Sequence, residues 1–532
     1  MKKNIAFLLV CFTIVFFSGG CSKKSPGPNN TDPRAETYFR FSKSGENVGA
    51  LADSIEIVVN WSKVKWEITT VPNGFIKKLS ATTGGAESLA NSSTKLIASL
   101  EPNIKKVARS QELILTDVKT GSKKTFVLTQ DIWANREIIT IDPGVKFQKI
   151  TGFGGMLNSS WTGSTQLTEQ DIEKLYGSNG LGYNILRMML YPNTADWGRE
   201  SAIAKKAQEL GATIFASPWT PPASMKSNGA TSNKDGAFLL PEKYDAFAAH
   251  LKAFVDFQKD QGVNIYAVSV QNEPDWKVDY DGCSYSPQQM LDFVKNHGDK
   301  IGDGIKLMAA ETVQFNTAYT DPLLNDPVAV NNIDIVATHL YGGGMKDYKI
   351  AQQKGKEIWM TEHLFNDETN GRDWDWLPSL KTNIAKEIHD CMVNNFNAYV
   401  WWYLKRFYSM LGENSPKSPV ADGAITKRGY IIGHYAKYAT GKTRIQATVT
   451  GAGNLLSTAY HGNNEITVVF INRNATPTVV EVALPVMVTS ATAIETTVSK
   501  NMAAVVTELS TDKKILSIPV SAESIVSLRI IL

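Results

Sequence analysis

The segment "NIYAVSVQNEPDW" (264–276) runs from an apolar stretch, whose length suits one buried β-strand, straight into Asn272, Glu273 and Pro274. An unpaired carboxylate is costly to bury, so a glutamate at the end of a buried strand is either solvated at a loop mouth or held in a site. The fold that surrounds this segment decides between these two interpretations.

Apolar segments of similar length recur between residues 149 and 439 and alternate with helical segments. Such alternation predicts a (β/α)8 TIM barrel. An open doubly wound sheet is the alternative, but no glycine-rich phosphate-binding loop follows any predicted strand. The predicted barrel strands are 149–155, 183–190, 212–218, 264–272, 305–311, 333–341, 356–362 and 398–404.

The chain on both sides of the barrel has the short alternating runs of β-structure. Residues 35–131 predict a small β-sandwich, because short strands and turns follow one another at regular spacing. Residues 440–532 predict a C-terminal β-sandwich docked on the barrel, and residues 137–148 predict an extra strand of that sandwich. The predicted fold class is therefore multidomain: sandwich, barrel, sandwich.

The N-terminus predicts export. A basic start precedes a 13-residue apolar run, and small residues precede Cys21, which resembles a bacterial lipobox. We expect residues 1–20 to be a signal peptide, Cys21 to carry lipid, and residues 21–34 to be a tether. The protein would then be a lipoprotein of the bacterial outer membrane or cell surface. Plain secretion with an unmodified Cys21 is the alternative.

Composition excludes several partners. The chain has 55 Lys and Arg against 52 Asp and Glu. This near-neutral net charge lacks the excess of basic residues that binding to nucleic acid requires. Its four cysteines form neither a disulfide framework nor a metal motif with histidine, so we expect no metal and no cofactor. We expect a monomer.

Reactive groups of such barrels collect at the carboxyl ends of the strands. Two carboxylates stand out there, Glu273 after the fourth strand and Glu362 after the seventh. Cleavage of a glycosidic bond requires paired carboxylates among aromatic residues. For either glutamate alone, the alternative is a structural salt bridge at the top of the barrel. The polar and aromatic strand-end residues are Arg187, Trp219, Asn272, Glu273, Glu311, His339, Tyr341, Glu362, His363, Trp402 and Tyr403.

Five motifs that occur in this order resemble glycoside hydrolase family 30, a family of retaining glycosidases with a barrel and a side sandwich. The resemblance covers residues 137–532 and implies that Glu273 is the acid/base and Glu362 the nucleophile. The motifs are "ITGFGG" (150–155), "NILRMML" (184–190), "SPWTPPASMK" (217–226), "SVQNEPDW" (269–276) and "IWMTEH" (358–363).

The same resemblance implies roles for the neighbours of the pair. Asn272 would hydrogen-bond the sugar 2-hydroxyl, and Trp219 would form part of the subsite floor. Arg187 and Tyr341 would orient Glu362 and keep it ionised, because a nearby cation lowers the pKa of a carboxylate. Glu273 would need a raised pKa to act as the acid.

The segment "VWWYLKRFYSML" (400–411) resembles the glucuronoxylanase branch of the family. The resemblance implies that Arg406 and Tyr408 clamp a glucuronate side branch of xylan, with Trp402 and Tyr403 beside them. A planar guanidinium suits this task because it grips a carboxylate with two hydrogen bonds. A surface salt bridge is the alternative for Arg406.

Two aromatic residues after the fourth strand, Trp276 and Tyr280, match xylose-binding positions of this branch. One position departs from the branch: Asp367 stands where a serine is usual, five residues after the nucleophile. An anionic side chain there would repel a uronate, unless an insertion places Asn366 or Thr369 at that position instead. The resemblance therefore leaves the dependence on glucuronate open.

The predicted function is a retaining endo-β-1,4-xylanase directed at glucuronoxylan, with this polysaccharide as its partner and a lipid anchor in the membrane. Another family 30 β-glycosidase, of the β-1,6-glucanase or β-glucosidase type, is one alternative. A non-catalytic surface glycan-binding lipoprotein is the other. Residues 35–131 resemble the BACON module, which implies an immunoglobulin-like β-sandwich, and we expect them to space the barrel from the membrane.

Overall fold

A computed structural model describes residues 34–133, 136–158, 166–302, 304–451 and 454–532. The chain divides into two compact units, one reaching to residue 103 with 107–132, the other combining 104–106 with 133–532. The predicted signal peptide, Cys21 and nearly all of the tether lie outside the described residues. Across the described ranges, no helix combines the length and the apolar character needed to cross a membrane.

The first unit consists of β-strands in two sheets. The alternation seen in the sequence turns one face of each sheet towards a shared core that includes Trp66, Leu96 and Leu113. Sheet orders are β1-β3-β7-β5 and β2-β9-β8-β4-β6. The strands are β1 (Tyr38–Phe41), β2 (Gly45–Val48), β3 (Ser54–Ser62), β4 (Val64–Thr70), β5 (Ile76–Leu79), β6 (Thr83–Ala86), β7 (Ser92–Leu100), β8 (Arg109–Asp117) and β9 (Lys123–Gln130).

The second unit contains the barrel, and the predicted eight-stranded barrel is confirmed. Strands β11 to β18 are parallel and close into a ring in which β11 pairs with both β12 and β18. Strand β10 (Arg136–Lys149) precedes them. The barrel strands are β11 (Gly152–Met156), β12 (Ile185–Leu190), β13 (Thr213–Pro218), β14 (Ile265–Ser269), β15 (Lys306–Thr312), β16 (Ile335–His339), β17 (Glu357–Glu362) and β18 (Ala398–Trp401).

Three predicted strands end earlier than expected, and one of them is β16, which ends at His339 and not at residue 341. Strand β14 ends at Ser269 and β18 ends at Trp401, so Asn272, Glu273 and Trp402 lie on the loops that follow. The barrel interior is filled by side chains and includes Trp359, which is fully buried. Gly154 is required where β11 meets β12, because a Cβ there would lie 1.8 Å from the carbonyl oxygen of Ile185.

Helices surround the barrel on the outside. Helix α4 begins with a capping box, in which Ser286 and Gln289 each accept a backbone N–H of the other. The helices are α1 (Glu169–Tyr176), α2 (Ser201–Glu209), α3 (Tyr244–Asp260), α4 (Pro287–His297), α5 (Thr317–Asn325), α6 (Ala329–Asn332), α7 (Lys349–Gln353), α8 (Trp376–Lys381), α9 (Ile384–Val393) and α10 (Lys427–Ala439).

The C-terminal strands form a β domain with β10. They make one ten-stranded sheet, ordered β24-β23-β27-β21-β20-β19-β10-β22-β26-β25. Residues near both of its ends, such as Ala493 and Leu516, share one core, so the sheet curls over on itself. The strands are β19 (Thr443–Thr450), β20 (Leu455–Gly462), β21 (Glu465–Asn472), β22 (Thr478–Ala483), β23 (Ser490–Thr496), β24 (Ala503–Val505), β25 (Glu508–Leu509), β26 (Ile515–Val520) and β27 (Ser524–Ile531).

The β domain packs on the barrel through α10. His434 of this helix is buried and bonds the hydroxyl groups of Ser527 and Thr496, each at 2.8 Å. Cys283 and Cys391 are both buried and not disulfide-bonded.

Candidate active site

A cleft of about 830 Å³ opens at the carboxyl ends of the barrel strands. It brings together residues that follow five different strands, which local sequence patterns could not place side by side. The lining residues are Trp219, Glu273, Asp275, Trp276, Tyr280, Val313, Gln314, Tyr341, Gly342, Glu362 and Trp402.

Two carboxylates face each other in this cleft. A carboxylate oxygen of Glu273 lies within 4.8 Å of one of Glu362. Retaining glycosidases hold their two carboxyl groups about 5–5.5 Å apart, whereas inverting enzymes need about 6.5–9.5 Å to admit a water molecule between them. The spacing therefore suits direct attack by one carboxylate on the sugar.

Glu362 ends β17 and is held by two side chains. The phenol of Tyr341 donates to its Oε1 at 2.8 Å, and Nη1 of Arg187 donates to its Oε2. Both contacts fall on the residues that the sequence predicted as its supports. They hold the carboxylate in one orientation at the lining of the cleft, as a nucleophile requires.

Glu273 follows β14 in a left-handed backbone conformation, with φ of +47°. Its Oε1 accepts a hydrogen bond from Nδ1 of His339 at 3.1 Å. Burial raises the pKa of Glu273, the hydrogen bond from His339 opposes this, and the negative charge of Glu362 raises the pKa further. The net upward direction agrees with the predicted role of a proton donor.

Arg187 organises the floor of the site from β12. It is fully buried, and its Nη2 donates to Oδ1 of Asn272 at 2.6 Å. Arg187 takes one lone pair of this oxygen and thereby orients the amide, whose N–H groups can donate to a sugar hydroxyl. The guanidinium also lies 4.8 Å from the ring of Trp219, and its Nε donates to the hydroxyl oxygen of Ser217 at 3.2 Å.

Aromatic side chains form the walls. The rings of Trp219 and Trp402 lie 5.8 Å apart, and Trp402 stacks on Tyr403 at 4.1 Å. Trp276 and Tyr280 are 55% and 46% exposed on the cleft wall, an unusual position for large rings unless a ligand covers them. This arrangement suits the apolar faces of sugars.

The residues that the sequence predicts to bind the uronate lie in the loop after β18. Of the described residues there, Tyr403, Arg406 and Tyr408 do not line the cleft. Tyr403 and Tyr408 are buried. The Nε of Arg406 lies 3.3 Å from a carboxylate oxygen of Glu413, so the salt bridge considered as an alternative is present. Asp367 is exposed, and its Oδ1 accepts from the backbone and hydroxyl of Thr369.

Three functional groups received no role from the sequence. His339 and Glu311 appeared only as strand-end residues, yet they form the buried base of the site, and Asp275 joins the cleft lining. Burial alone would lower the pKa of His339, but the negative charges of Glu362, Glu273 and Glu311 outweigh burial and raise it to about 9.

One group among the described residues has the spacing of a metal site, formed by Glu273, His339 and Glu362. Its electrostatics do not fit a cation. Arg187 already pairs with Glu362, and His339 is held in its protonated form, so a metal ion would meet two positive charges. Together, the barrel and the close carboxylate pair define a glycoside hydrolase.

Comparison with known proteins agrees with this class. The family model "O-Glycosyl hydrolase family 30" matches residues 193–334. The glucuronoxylanase XynC of Bacillus subtilis is 39% identical over 349 residues, which cover 64% of this chain and 78% of that protein. This chain therefore belongs to glycoside hydrolase family 30.

Solved structures are similar over the same region. The family 30 subfamily 8 xylanase Xyn30A of Clostridium acetobutylicum superposes with a TM-score of 0.67 at 35% identity, covering 74% of this chain and 99% of that one. A family 30 endoxylanase of Clostridium papyrosolvens gives a TM-score of 0.63 at 35% identity, with coverage of 74% and 100%.

Proposed function

We propose that this protein is a retaining endo-β-1,4-xylanase. The observation that carries the proposal is the pair of carboxylate oxygens of Glu273 and Glu362, within 4.8 Å of each other in an aromatic cleft. The relatives described above act on xylan according to their names, which supports the choice of polymer.

In the first step, the Glu362 carboxylate attacks the anomeric carbon of the bound xylose while the glycosidic C–O bond breaks. The proton of Glu273 passes to the departing oxygen, which leaves a covalent glycosyl ester on Glu362. Tyr341 and Arg187 orient the attacking oxygens, because each bonds a different one.

In the second step, Glu273 acts as a base. The charge of Glu362 disappears once the ester forms, and with it one cause of the raised pKa of Glu273. The carboxylate of Glu273 then takes a proton from water, whose oxygen attacks the anomeric carbon and releases Glu362 as carboxylate. Two inversions give net retention of configuration.

Release of reducing sugar from xylan tests this function. We expect Glu273→Gln and Glu362→Gln each to lower the rate by about 10²- to 10⁴-fold. A wild-type rate in either variant would refute the assignment, whereas activity of wild type on β-1,6-glucan instead of xylan would support the other glycosidase type. A wild-type protein that binds xylan without cleaving it would support the non-catalytic alternative.

Azide separates the two carboxylate roles. On an aryl β-xyloside with a good leaving group, Glu273→Ala still forms the glycosyl ester, and azide then attacks it to give a β-xylosyl azide. Glu362→Ala has no nucleophile, so azide attacks directly and gives the α product. The opposite pairing of variants and products would exchange the two roles.

We propose that Arg406 and Tyr408 direct the enzyme to glucuronoxylan. The guanidinium of Arg406 supports this because its planar fork can grip a carboxylate with two hydrogen bonds; in the structure its Nε lies 3.3 Å from a carboxylate oxygen of Glu413. The exposed Asp367 opposes this proposal, because its negative charge would repel a uronate. Comparison of the hydrolysis rates on glucuronoxylan and on unsubstituted xylan decides whether the enzyme recognises the uronate. We expect Arg406→Ala to lower the preference for glucuronoxylan about 10- to 100-fold, as loss of a charge-assisted pair implies.

The matched control for Arg406 is Lys417→Ala, which removes a cation of the same loop that pairs with Glu368 at 2.6 Å. This variant should keep the preference. Equal rates of wild type on both polymers, unchanged in Arg406→Ala, would reject the uronate clamp and leave the xylanase assignment intact.

We also propose export with a lipid on Cys21, and an immunoglobulin-like, BACON-like module at 35–131 that spaces the barrel from the membrane. The lipobox-like residues before Cys21 support the first proposal. Cells fed labelled palmitate should label the wild type and Cys11→Ser but not Cys21→Ser. Deletion of 35–131 from the full chain should leave hydrolysis of soluble xylan unchanged.

A further inference from the structure

A third glutamate lies beneath the catalytic pair. Glu311, near the end of β15, is fully buried and has a φ of +49°, in the left-handed region that side chains rarely adopt. Glu273 shares this conformation, and its backbone N–H donates to the carbonyl oxygen of Glu311 at 2.9 Å. Strained backbone of this kind persists where the surroundings impose it and is concentrated at functional sites.

The carboxylate of Glu311 contacts both cations of the site. Its Oε1 lies 3.1 Å from Nη2 of Arg187 and 3.8 Å from Nε2 of His339. These two cations are the same ones that hold the catalytic pair, since Arg187 bonds Glu362 and His339 bonds Glu273. Glu311 is therefore the common partner of the two supports.

The charges of this buried cluster balance only when Glu311 is counted. Arg187 and His339 contribute two positive charges, and Glu362 and Glu311 contribute two negative charges, so the cluster is neutral while Glu273 carries its proton. Without the charge of Glu311, the same cluster would carry one net positive charge, which favours loss of the proton from Glu273. Buried charge of either sign is costly, so neutrality matters here.

We infer that Glu311 is a positioning residue of the active site, which fixes Arg187 and His339 against the catalytic glutamates and, by its negative charge, keeps the acid proton on Glu273. The inference rests on the roles proposed above for Glu273 and Glu362. It differs from the role of a plain core ion pair, because it predicts an effect on the proton equilibrium of the site.

Glu311 itself stays ionised at working pH. Burial alone would raise its pKa, but the positive charge of Arg187 and the interaction with His339 lower the pKa to about 2. The charged and titratable groups that face Glu273 and Glu311 from the neighbouring elements are Arg187, Asp275, Tyr280, His339, Tyr341 and Glu362.

The test is the pH profile of kcat/KM on xylan in Glu311→Gln, which keeps the shape of the side chain and removes its charge. Loss of a negative charge makes every proton in the coupled cluster leave more easily, whichever group holds it. We expect the alkaline limb of the bell to move to lower pH by about one unit. Glu311→Asp keeps the negative charge but places it farther from Arg187 and His339, because the side chain is shorter. It should move the alkaline limb in the same direction by a smaller amount.

The matched control is Glu495→Gln. Glu495 of β23 is 1% exposed and pairs with Lys500 at 3.0 Å and with the N–H of Ser521 at 2.7 Å, away from the cleft. This variant also loses a buried carboxylate, so its Tm should fall while its pH profile of kcat/KM stays that of wild type.

An unmoved alkaline limb in folded Glu311→Gln would overturn the inference, even if kcat fell. If Glu311→Gln does not fold, Glu311→Asp decides alone, and a limb that stays in place or moves to higher pH overturns the inference. Failure of the proposed function has a different signature, namely a wild type without activity on xylan or a Glu273→Gln variant with wild-type activity.

Discussion

Replacement of Arg187 by methionine removes the cation on which the buried site depends. Arg187 is fully buried, pairs with Glu362 and lies 3.1 Å from Glu311. Methionine fills a similar space without charge or donors, so Glu362 and Glu311 would lose one of the two cations beside them and keep only His339. Asn272 would also lose the hydrogen bond at its Oδ1.

Two independent arguments give the magnitude. Removal of one partner from a buried ion pair destabilises a protein by about 3–5 kcal/mol, because the other charge stays buried and uncompensated. The pKa of Glu311 is about 2 in the folded protein against an ordinary 4.5. That difference corresponds to about 3 kcal/mol of stability at neutral pH, much of it owed to Arg187.

The sign of the pH dependence follows from the lowered pKa. The stabilisation by Glu311 is fully present above its ordinary pKa of 4.5 and is lost as the pH falls towards about 2. The stability difference between wild type and Arg187→Met should therefore be complete at about pH 7 and narrower at about pH 3.5.

Scanning calorimetry at both pH values measures the effect. We expect the Tm of Arg187→Met at neutral pH to fall by about 6–10 °C, at about 2 °C per kcal/mol for a large domain. The control Arg199→Met removes an exposed arginine that pairs with Asp196 and should cost less than about 1 kcal/mol. An unchanged Tm at neutral pH, or the same difference at both pH values, would refute the reasoning.

Three further predictions concern the cleft and the domain junction. Tyr341→Phe removes the 2.8 Å hydrogen bond to Glu362, so kcat/KM on xylan should fall about 10- to 100-fold with little change in Tm. Trp276→Ala removes a 55% exposed cleft ring, so KM for xylan should rise about tenfold while kcat changes less than about twofold. His434 is buried, and burial lowers its pKa from 6.5 to about 3. The stability contributed by the neutral side chain is therefore complete above pH 6.5 and is lost as the pH falls from 6.5 towards about 3. His434→Asn should therefore lower the Tm at neutral pH but weaken its decline on acidification.

The controls for these variants come from outside the cleft. Tyr348→Phe loses a buried phenol that donates to Asp321, and should affect the Tm while sparing kcat/KM. Val498→Ala removes an exposed apolar side chain and should leave KM unchanged. A wild-type kcat/KM in Tyr341→Phe would contradict the role of Tyr341 at Glu362. A wild-type KM in Trp276→Ala would contradict the role of Trp276 in the cleft. If the Tm of His434→Asn fell on acidification as steeply as that of wild type, the pH dependence derived for His434 would be wrong.

Local patterns were sufficient for the barrel and for the two catalytic candidates. Each barrel strand is an apolar run of strand length, because both of its faces are buried, and Glu273 and Glu362 break such runs at their ends. The sequence places the ends of β14, β16 and β18 too late, since its apolar character continues past the last ladder hydrogen bonds. The sequence predicts β-strands at the C-terminus but not their pairing into one curled ten-stranded sheet, because alternation does not report which strands hydrogen-bond.

The sequence by itself determined which residues are buried and where reactive groups interrupt that burial, because periodicity records the environment of each residue along the chain. Only the tertiary structure decided which of those groups touch. Arg187, Glu311 and His339 come from β12, β15 and β16, and closure of the barrel places their charges in contact. Proton affinity depends on those distances, so the raised pKa of Glu273, which its proposed acid role requires, is a property of the closed barrel.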